Sequence, residues 1–397
     1  MNQRPKYILP LIIFSQFAGT SIWFAGNAIL PDLITEFGLG SNDLTAITSA
    51  VQLGFIVGTL LFAIFMVSDR FSPSKVFFIS SLLGALSNFL LIYFASSFSA
   101  LLGLRFFTGL MLAGIYPIGM KIASDWYKEG LGKALGYLVG ALVLGTAFPH
   151  LIKSFGHTFD WKTVITIVSV LSAFGGFLVL LFIGDGPFRK PLSSFQLKLI
   201  FTLFKTKEYK SAVFGYFGHM WELYTFWAFV PFILAFYARF HSLSIDISWW
   251  SFFVIAIGAL GCIVGGLVSL KKGSANVAFY HLLISGFCIL IFPLAIRLSE
   301  GLFMTYLLIW GWAVVADSPQ FSTLSAKHAP SNLIGTGLTI MNSIGFLLTI
   351  VSMYLLKFAL AYISLDIAIL ILLIGPLFGL IAIFKLKEKS KEKEHII

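Results

Sequence analysis

The sequence predicts an all-α membrane protein: twelve transmembrane helices in two six-helix bundles, with both termini in the cytoplasm. Three observations carry this reading. Of the 397 residues, 58% are hydrophobic and only 11% are charged, whereas a soluble domain carries about 25% charge. The charges cluster in short gaps between apolar runs of about 20 residues, the length that crosses ~30 Å of hydrocarbon. Lys and Arg then fall unequally on the two sides of those runs. No aqueous core buries so many apolar runs, so the bilayer is the solvent and each helix satisfies its own backbone. The 43 Phe residues suit lipid-facing surfaces as well as packing.

The predicted spans are 7–30, 43–66, 76–95, 99–124, 131–152, 162–183, 210–238, 248–270, 276–298, 300–324, 334–358 and 362–384. The first follows Arg4 and Lys6 like a signal peptide, but it is long and has no clear cleavage site, so it reads as a retained helix. With the N-terminus in the cytoplasm, most of Lys and Arg lie on that side. Only Lys153, Lys162, Arg239, Arg297 and Lys357 lie opposite, with Arg105 and Lys121 inside a helix, and this bias sets the orientation. The longest gap, Gly184 to Glu208, holds Asp185-Gly186-Pro187, then Phe195, Leu199, Ile200, Leu203 and Phe204 on one helical face, the pattern of an interfacial amphipathic helix. The expected organisation is an N-terminal bundle over 1–183, a central cytoplasmic loop over 184–209, a C-terminal bundle over 210–384 and a charged tail over 385–397.

The net charge of +10 reflects membrane topology and not nucleic-acid binding. Cys262 and Cys288 lie in predicted helices with no partner spacing and read as packing. No nucleotide-binding Gly-x-x-x-x-Gly-Lys-Ser/Thr loop occurs, nor any triad or metal-hydrolase spacing. The expectation is therefore a protein that is not an enzyme, has no cofactor and no metal, and works as a monomer in the bilayer. Its energy would come from an ion gradient or from the gradient of its own solute.

The chain also repeats itself. Gly54-Phe55-Ile56-Val57-Gly58 recurs as Gly261-Cys262-Ile263-Val264-Gly265. Tyr116-Pro117 corresponds to Ser318-Pro319, and Pro31 to Pro231, in the same order and each about half the chain apart. These matches point to a duplicated six-helix unit. Between the second and third helices stands Ser68-Asp69-Arg70-Phe71-Ser72-Pro73-Ser74-Lys75; the fourth carries Arg105-Phe106-Phe107-Thr108-Gly109, and Lys128-Glu129-Gly130-Leu131-Gly132-Lys133-Ala134 follows it.

With twelve helices and a long central loop, these segments resemble the Asp-Arg loop, the intramembrane arginine-plus-glycine motif and the second basic loop of the major facilitator superfamily. Phe65 and Ser72 stand where the family's loop has glycine. The drug-antiporter Gly-Pro pair is absent from the fifth helix, and the nitrate-porter arginines are absent from the second and eighth. The resemblance covers the whole chain. It implies two bundles around a central cavity, alternating access by rocking of the halves, and a gating role for Asp69 and Arg70.

A charge within the membrane costs about 2.5–3.5 kcal/mol at a helix centre on insertion scales, so each such residue raises a functional hypothesis. Glu222 in the seventh helix shares a face with His219. Burial of a carboxylate penalises its charged form, which suits a group that takes up and releases protons; the alternative is a helix-packing pair. Asp317 precedes Ser318-Pro319-Gln320 and reads as part of a broken-helix binding site or as a local cap at the kink. Arg105 fits an anion ligand or a structural ion pair, and Lys121 a local pair with Asp125 or a substrate contact. Trp23, Asn27, Tyr116, Tyr224, Trp227 and Gln320, with Gln16, Gln52 and Asn342, would wall a mixed pocket or serve interhelical bonding.

The expected function is proton-coupled transport of a small solute: an organic anion, a carboxylate metabolite or a siderophore. A drug, metabolite or metal exporter and a transporter-like solute sensor are the alternatives. The expected location is the bacterial inner membrane.

Overall fold

The computed structural model describes residues 5–38, 43–127, 131–156, 159–189, 200–330 and 333–394. Among them every regular element is helical, and the chain divides into two compact units, Met1–Ser194 and Phe195–Ile397. The first unit holds α1 (Ile8–Thr20), α2 (Asp43–Ile64), α3 (Pro73–Phe94), α4 (Phe98–Trp126), α5 (Leu131–Ser154) and α6 (Trp161–Ile183). The second holds α7 (Lys207–His241), α8 (Ile247–Lys272), α9 (Ser274–Ala295), α10 (Glu300–His328), α11 (Ile334–Leu360) and α12 (Leu365–Phe384). Among the described residues, eleven helices are long and apolar enough to cross a membrane, and α1 is shorter.

The starts of several helices follow from their sequence. Ser72, Ser97, Asp160 and Asp246 each accept a bond from a backbone N–H of the first turn of α3, α4, α6 and α8, satisfying donors that the helix cannot. Hydrogen bonds from Thr163 hold the Asp160 carboxyl below its ordinary range. At the far end of α6, Gly184 turns the chain with φ of +61°, a conformation glycine adopts without steric cost.

The first predicted span is not continuous. Helix α1 stops at Thr20, and two short helices, Ala25–Ala28 and Leu30–Phe37, complete the passage. Local competition explains the stop: the Ser21 hydroxyl lies 2.7 Å from the Ala18 carbonyl and 3.3 Å from that of Val168, and Arg105 draws off the carbonyls of Ile22 and Trp23. Predicted as one run, α4 is broken too, into Phe98–Leu112 and Tyr116–Trp126. Its counterpart α10 divides into Glu300–Ala316 and Ser318–His328. Pro117 and Pro319 each stand in the first turn of the second piece, where a missing N–H costs nothing.

The interfacial helix expected near 195–204 falls mostly outside the described residues; Ile200–Leu203 is a single helical turn. The side chains of most of the charged tail also lie outside them.

The two units pack their second and fourth helices by the same device. A Cβ on Gly54 would strike the Phe106 carbonyl of α4, and one on Gly109 the Val51 carbonyl of α2. In the other unit a Cβ on Gly311 would strike the Val254 carbonyl, and one on Gly261 would stand 2.7 Å from the Trp312 oxygen. Small residues let the backbones touch where no hydrophobic force favours helix association over lipid contact. We expect Gly54→Ala and Gly311→Ala each to lower stability by about 1–3 kcal/mol, the cost of overpacking. Gly266→Ala, with nothing within 4 Å, should leave it unchanged; melting of the purified protein in detergent measures all three.

Candidate functional site

The second unit buries Glu222 and His219 on α7 and Asp317 on α10. Aromatic residues dominate the middle of α7, and Glu222 sits among them at 1% exposure. Its Oε1 accepts a bond from Trp310 Nε1 of α10 at 2.6 Å, and its Oε2 accepts one from Ser285 Oγ of α9 at 3.0 Å. Both donors are neutral. Stacking on Phe226 at 4.1 Å holds Trp310 in place, with Phe292 and Tyr306 beside it. The carboxylate is thus gripped in a rigid aromatic wall, and among the described residues no cation pairs with it.

His219, one turn away on α7, turns to a different partner. Its Nδ1 stands 2.8 Å from Asp317 Oδ1, and both side chains are 1% exposed. That distance is close enough for an ion pair, but the angles are not those of a hydrogen bond. Both ring nitrogens and both carboxylate oxygens lack a hydrogen-bond partner. Tyr216 and Phe321 flank the ring. Asp317 stands at the break in α10, where its backbone carbonyl accepts from Gln320 and Phe321. Its side chain caps nothing, so the carboxylate is not occupied by the kink. Gln320 is buried one turn on, and Tyr224 packs between Trp227 and Phe346, at 5.2 and 4.9 Å.

In the first unit Arg105 is fully buried. Its Nη1 donates to the Ile22 carbonyl at 3.1 Å and to Asn88 Oδ1 at 3.0 Å, and its Nη2 donates to the Trp23 carbonyl. Asn88 in turn donates to Ser169 at 3.0 Å. The guanidinium therefore clasps the break after α1, and among the described residues no carboxylate neutralises it. Trp23 packs on Phe55 at 4.9 Å, and Asn27 donates to Thr48 Oγ1 at 2.8 Å, leaving its own Oδ1 unpartnered. Tyr116 opens the second piece of α4. Lys121 meets Asp125 at 2.6 Å, the local pair that the i,i+4 spacing allows.

Loop contacts tie one end of this unit together. Asp185 accepts bonds from Ser72 and Ser74 at 2.7 and 3.1 Å and pairs with Arg189 at 3.0 Å. Arg189 also donates to the Phe71 carbonyl at 2.8 Å, and Phe188 N–H donates to the Asp125 carbonyl at 2.9 Å. Arg70 is exposed; the side chains of Asp69 and of Leu131–Lys133, and all of Lys128–Gly130, lie outside the described residues.

Ser285, Trp310, Asn88 and Thr48 are the partners that sequence reasoning did not single out. Only Asn88, an amide within an apolar run, carried a visible signal. The clasp is testable: Arg105→Lys keeps the charge but not the planar fork. It should lower stability by about 2–3 kcal/mol, the size of one or two lost bonds to a charged group, as read by thermal unfolding in detergent.

Comparison with known proteins agrees with this architecture. An uncharacterized protein of Campylobacter jejuni is 26% identical over 286 residues, 69% of this chain and 85% of its own. A Bacillus subtilis protein named for niacin/nicotinamide transport is 27% identical over 42% of this chain and 41% of its own. The sialic acid transporter NanX of Escherichia coli is 28% identical over 39% of this chain and 38% of its own. Matches to these two transporters thus span less than half of either. Among solved structures, a bacterial homolog of the human lysosomal transporter Spinster superposes with a TM-score of 0.69 at 16% identity, covering 99% of this chain and 98% of that one. The profile of the Major Facilitator Superfamily matches residues 12–353, and with two helical units and their paired helix breaks the chain belongs to that family of membrane transporters.

Proposed function

We propose that the protein is a proton-coupled secondary transporter for a small organic anion, working as a monomer by alternating access in the bacterial cytoplasmic membrane with both termini inside. One observation carries the coupling: Glu222 is a fully buried carboxylate held by two neutral donors, with no paired cation among the described residues. An unpaired buried charge is expensive. A proton is the smallest species that removes the expense. His219 and Asp317, buried 2.8 Å apart, form a second ionisable pair in the same unit.

The anion class rests on two further points. Arg105 brings a positive charge into the first unit without a carboxylate partner among the described residues. Two relatives bear the names of carriers of niacin/nicotinamide and of sialic acid; niacin and sialic acid carry a carboxylate, where nicotinamide has a neutral amide. The proposed substrate contacts are Trp23, Asn27 and Tyr116 in the first unit, with Lys121 beyond them on α4, and Tyr224, Trp227 and Gln320 in the second. Asp69 and Arg70 belong to the proposed gate, in the loop whose neighbours Phe71, Ser72 and Ser74 are tied to Asp185 and Arg189.

Two measurements test this reading. In proteoliposomes supplied with labelled nicotinate or sialic acid, an imposed inward proton gradient should drive uptake. Glu222→Gln should cut that uptake at least about tenfold, as expected for loss of an essential proton-transfer group, while solute-for-solute exchange survives. Full gradient-driven uptake by the folded variant would move the coupling role to Asp317, and binding without flux would favour a sensor. Orientation is checked by reporter fusions: one after Lys207 should read cytoplasmic and one at His241 periplasmic, and the reverse at either position overturns the proposed topology.

A further inference from the structure

We propose that Ser285 is a hydroxyl switch that lets the Glu222 carboxyl exist charged or protonated without giving up a hydrogen bond. The inference rests on the reading of Glu222 as the proton-coupling group and assigns a positioning role to a residue on a different helix.

Each partner of the carboxyl has a defined capacity to donate and accept. Trp310 Nε1, 2.6 Å from Oε1, is a donor only. Oε1 is therefore an acceptor in both protonation states, and an added proton goes to Oε2. Ser285 Oγ lies 3.0 Å from Oε2 and 3.2 Å from the Leu282 carbonyl of its own helix. The hydroxyl has one hydrogen for these two acceptors and lone pairs to accept with. With Glu222 charged, Ser285 donates to Oε2. When a proton arrives from water, it binds Oε2 and the O–H of Glu222 donates to Ser285 Oγ. The serine hydrogen then rotates to the Leu282 oxygen. The carboxyl passes from one negative charge to none, and release of the proton to water reverses each step. Neither state leaves an unsatisfied polar atom in the cluster, whereas an orphan there would cost about 1–3 kcal/mol.

The surroundings hold the switch to this pair of states. Ser285 and Trp310 are fully buried, so no exposed water competes for Oε2. The titratable groups within electrostatic reach of Glu222 are Asp317 and Tyr306 from α10 and Cys288 from α9, with His219 on its own helix. Tyr306 is committed to the Cys288 carbonyl at 2.6 Å, and His219 Nδ1 faces Asp317 Oδ1 at 2.8 Å. Ser285 is thus the partner of the carboxyl able to reverse its donor role.

Infrared difference spectra of the purified full chain between acid and alkaline pH test this without any solute. A protonated carboxyl gives a carbonyl band, and the part lost in Glu222→Gln belongs to Glu222. A carboxyl that donates a hydrogen bond absorbs at lower wavenumber than a free one. We expect Ser285→Ala to move the Glu222 band to higher wavenumber, and Ser285→Cys, of nearly the same size but with a weaker acceptor, to place it between. A Glu222 band at the same position in wild type, Ser285→Cys and Ser285→Ala would overturn the switch and leave the proton-coupling reading standing. Absence of any Glu222 band in the wild type across the pH range would overturn that reading and the switch with it.

Discussion

Everything in this protein is arranged around the near-contact of the second and fourth helices within each unit. Where α2 passes α4, Gly54 and Gly109 meet each other's helices through backbone carbonyls, and Gly261 and Gly311 repeat the meeting between α8 and α10. An apolar solvent offers no hydrophobic gain for bringing helices together, so the energy of the contact is dispersion and weak C–H···O bonding at short range. Such a contact exists only if side chains are absent from that line. The fourth helix of each unit is therefore anchored on one side by bare backbone. Its polar residues, Arg105 in one unit and Asp317 in the other, point to partners elsewhere. The breaks at Pro117 and Pro319 fall just beyond the anchored stretches.

That anchoring gives the two units a shared frame with opposite chemistry. The first uses its frame to bury a cation against carbonyls at the break after α1. The second buries carboxyls, one in an aromatic wall and one beside a histidine. The same glycine contacts make both frames, and a few different polar side chains set the chemistry. The difference in satisfaction matters as well. Both carboxylate oxygens of Glu222 and both terminal nitrogens of Arg105 have bonds made within the protein, and such groups are fixed in place. His219 and Asp317 do not, and they occupy the point where α10 changes direction.

The helices were legible because the bilayer imposes a length and an apolar composition on each one, and the signal is strong in every run. The duplication was legible through Gly54, Gly58, Gly261 and Gly265, whose spacing on a helix marks a contact line. The break after Thr20 was not legible. No proline or glycine marks 21–24; the helix gives way because Ser21 and the distant Arg105 compete for its carbonyls, and that competition depends on tertiary packing. The site was legible in part. A lone Glu in an apolar run announces itself, but its partners Ser285 and Trp310 are common residues in such runs. His219 and Glu222 share a helical face, yet they divide between different partners because Trp310 and Asp317 stand about two turns apart along α10.

The Arg105 clasp bears on how the chain enters the membrane. A guanidinium at a helix centre opposes insertion by about 2.5–3.5 kcal/mol, and the segment Phe98–Leu112 carries it with no acidic residue of its own. The acceptors are the carbonyls of Ile22 and Trp23, which lie nearer the N-terminus and so emerge from the ribosome first. By the time the arginine reaches the bilayer, the carbonyls that receive it are already made, and the turn opens as the guanidinium docks on them. Synthesis order thereby turns an unfavourable segment into a late-arriving partner for acceptors that precede it in the chain.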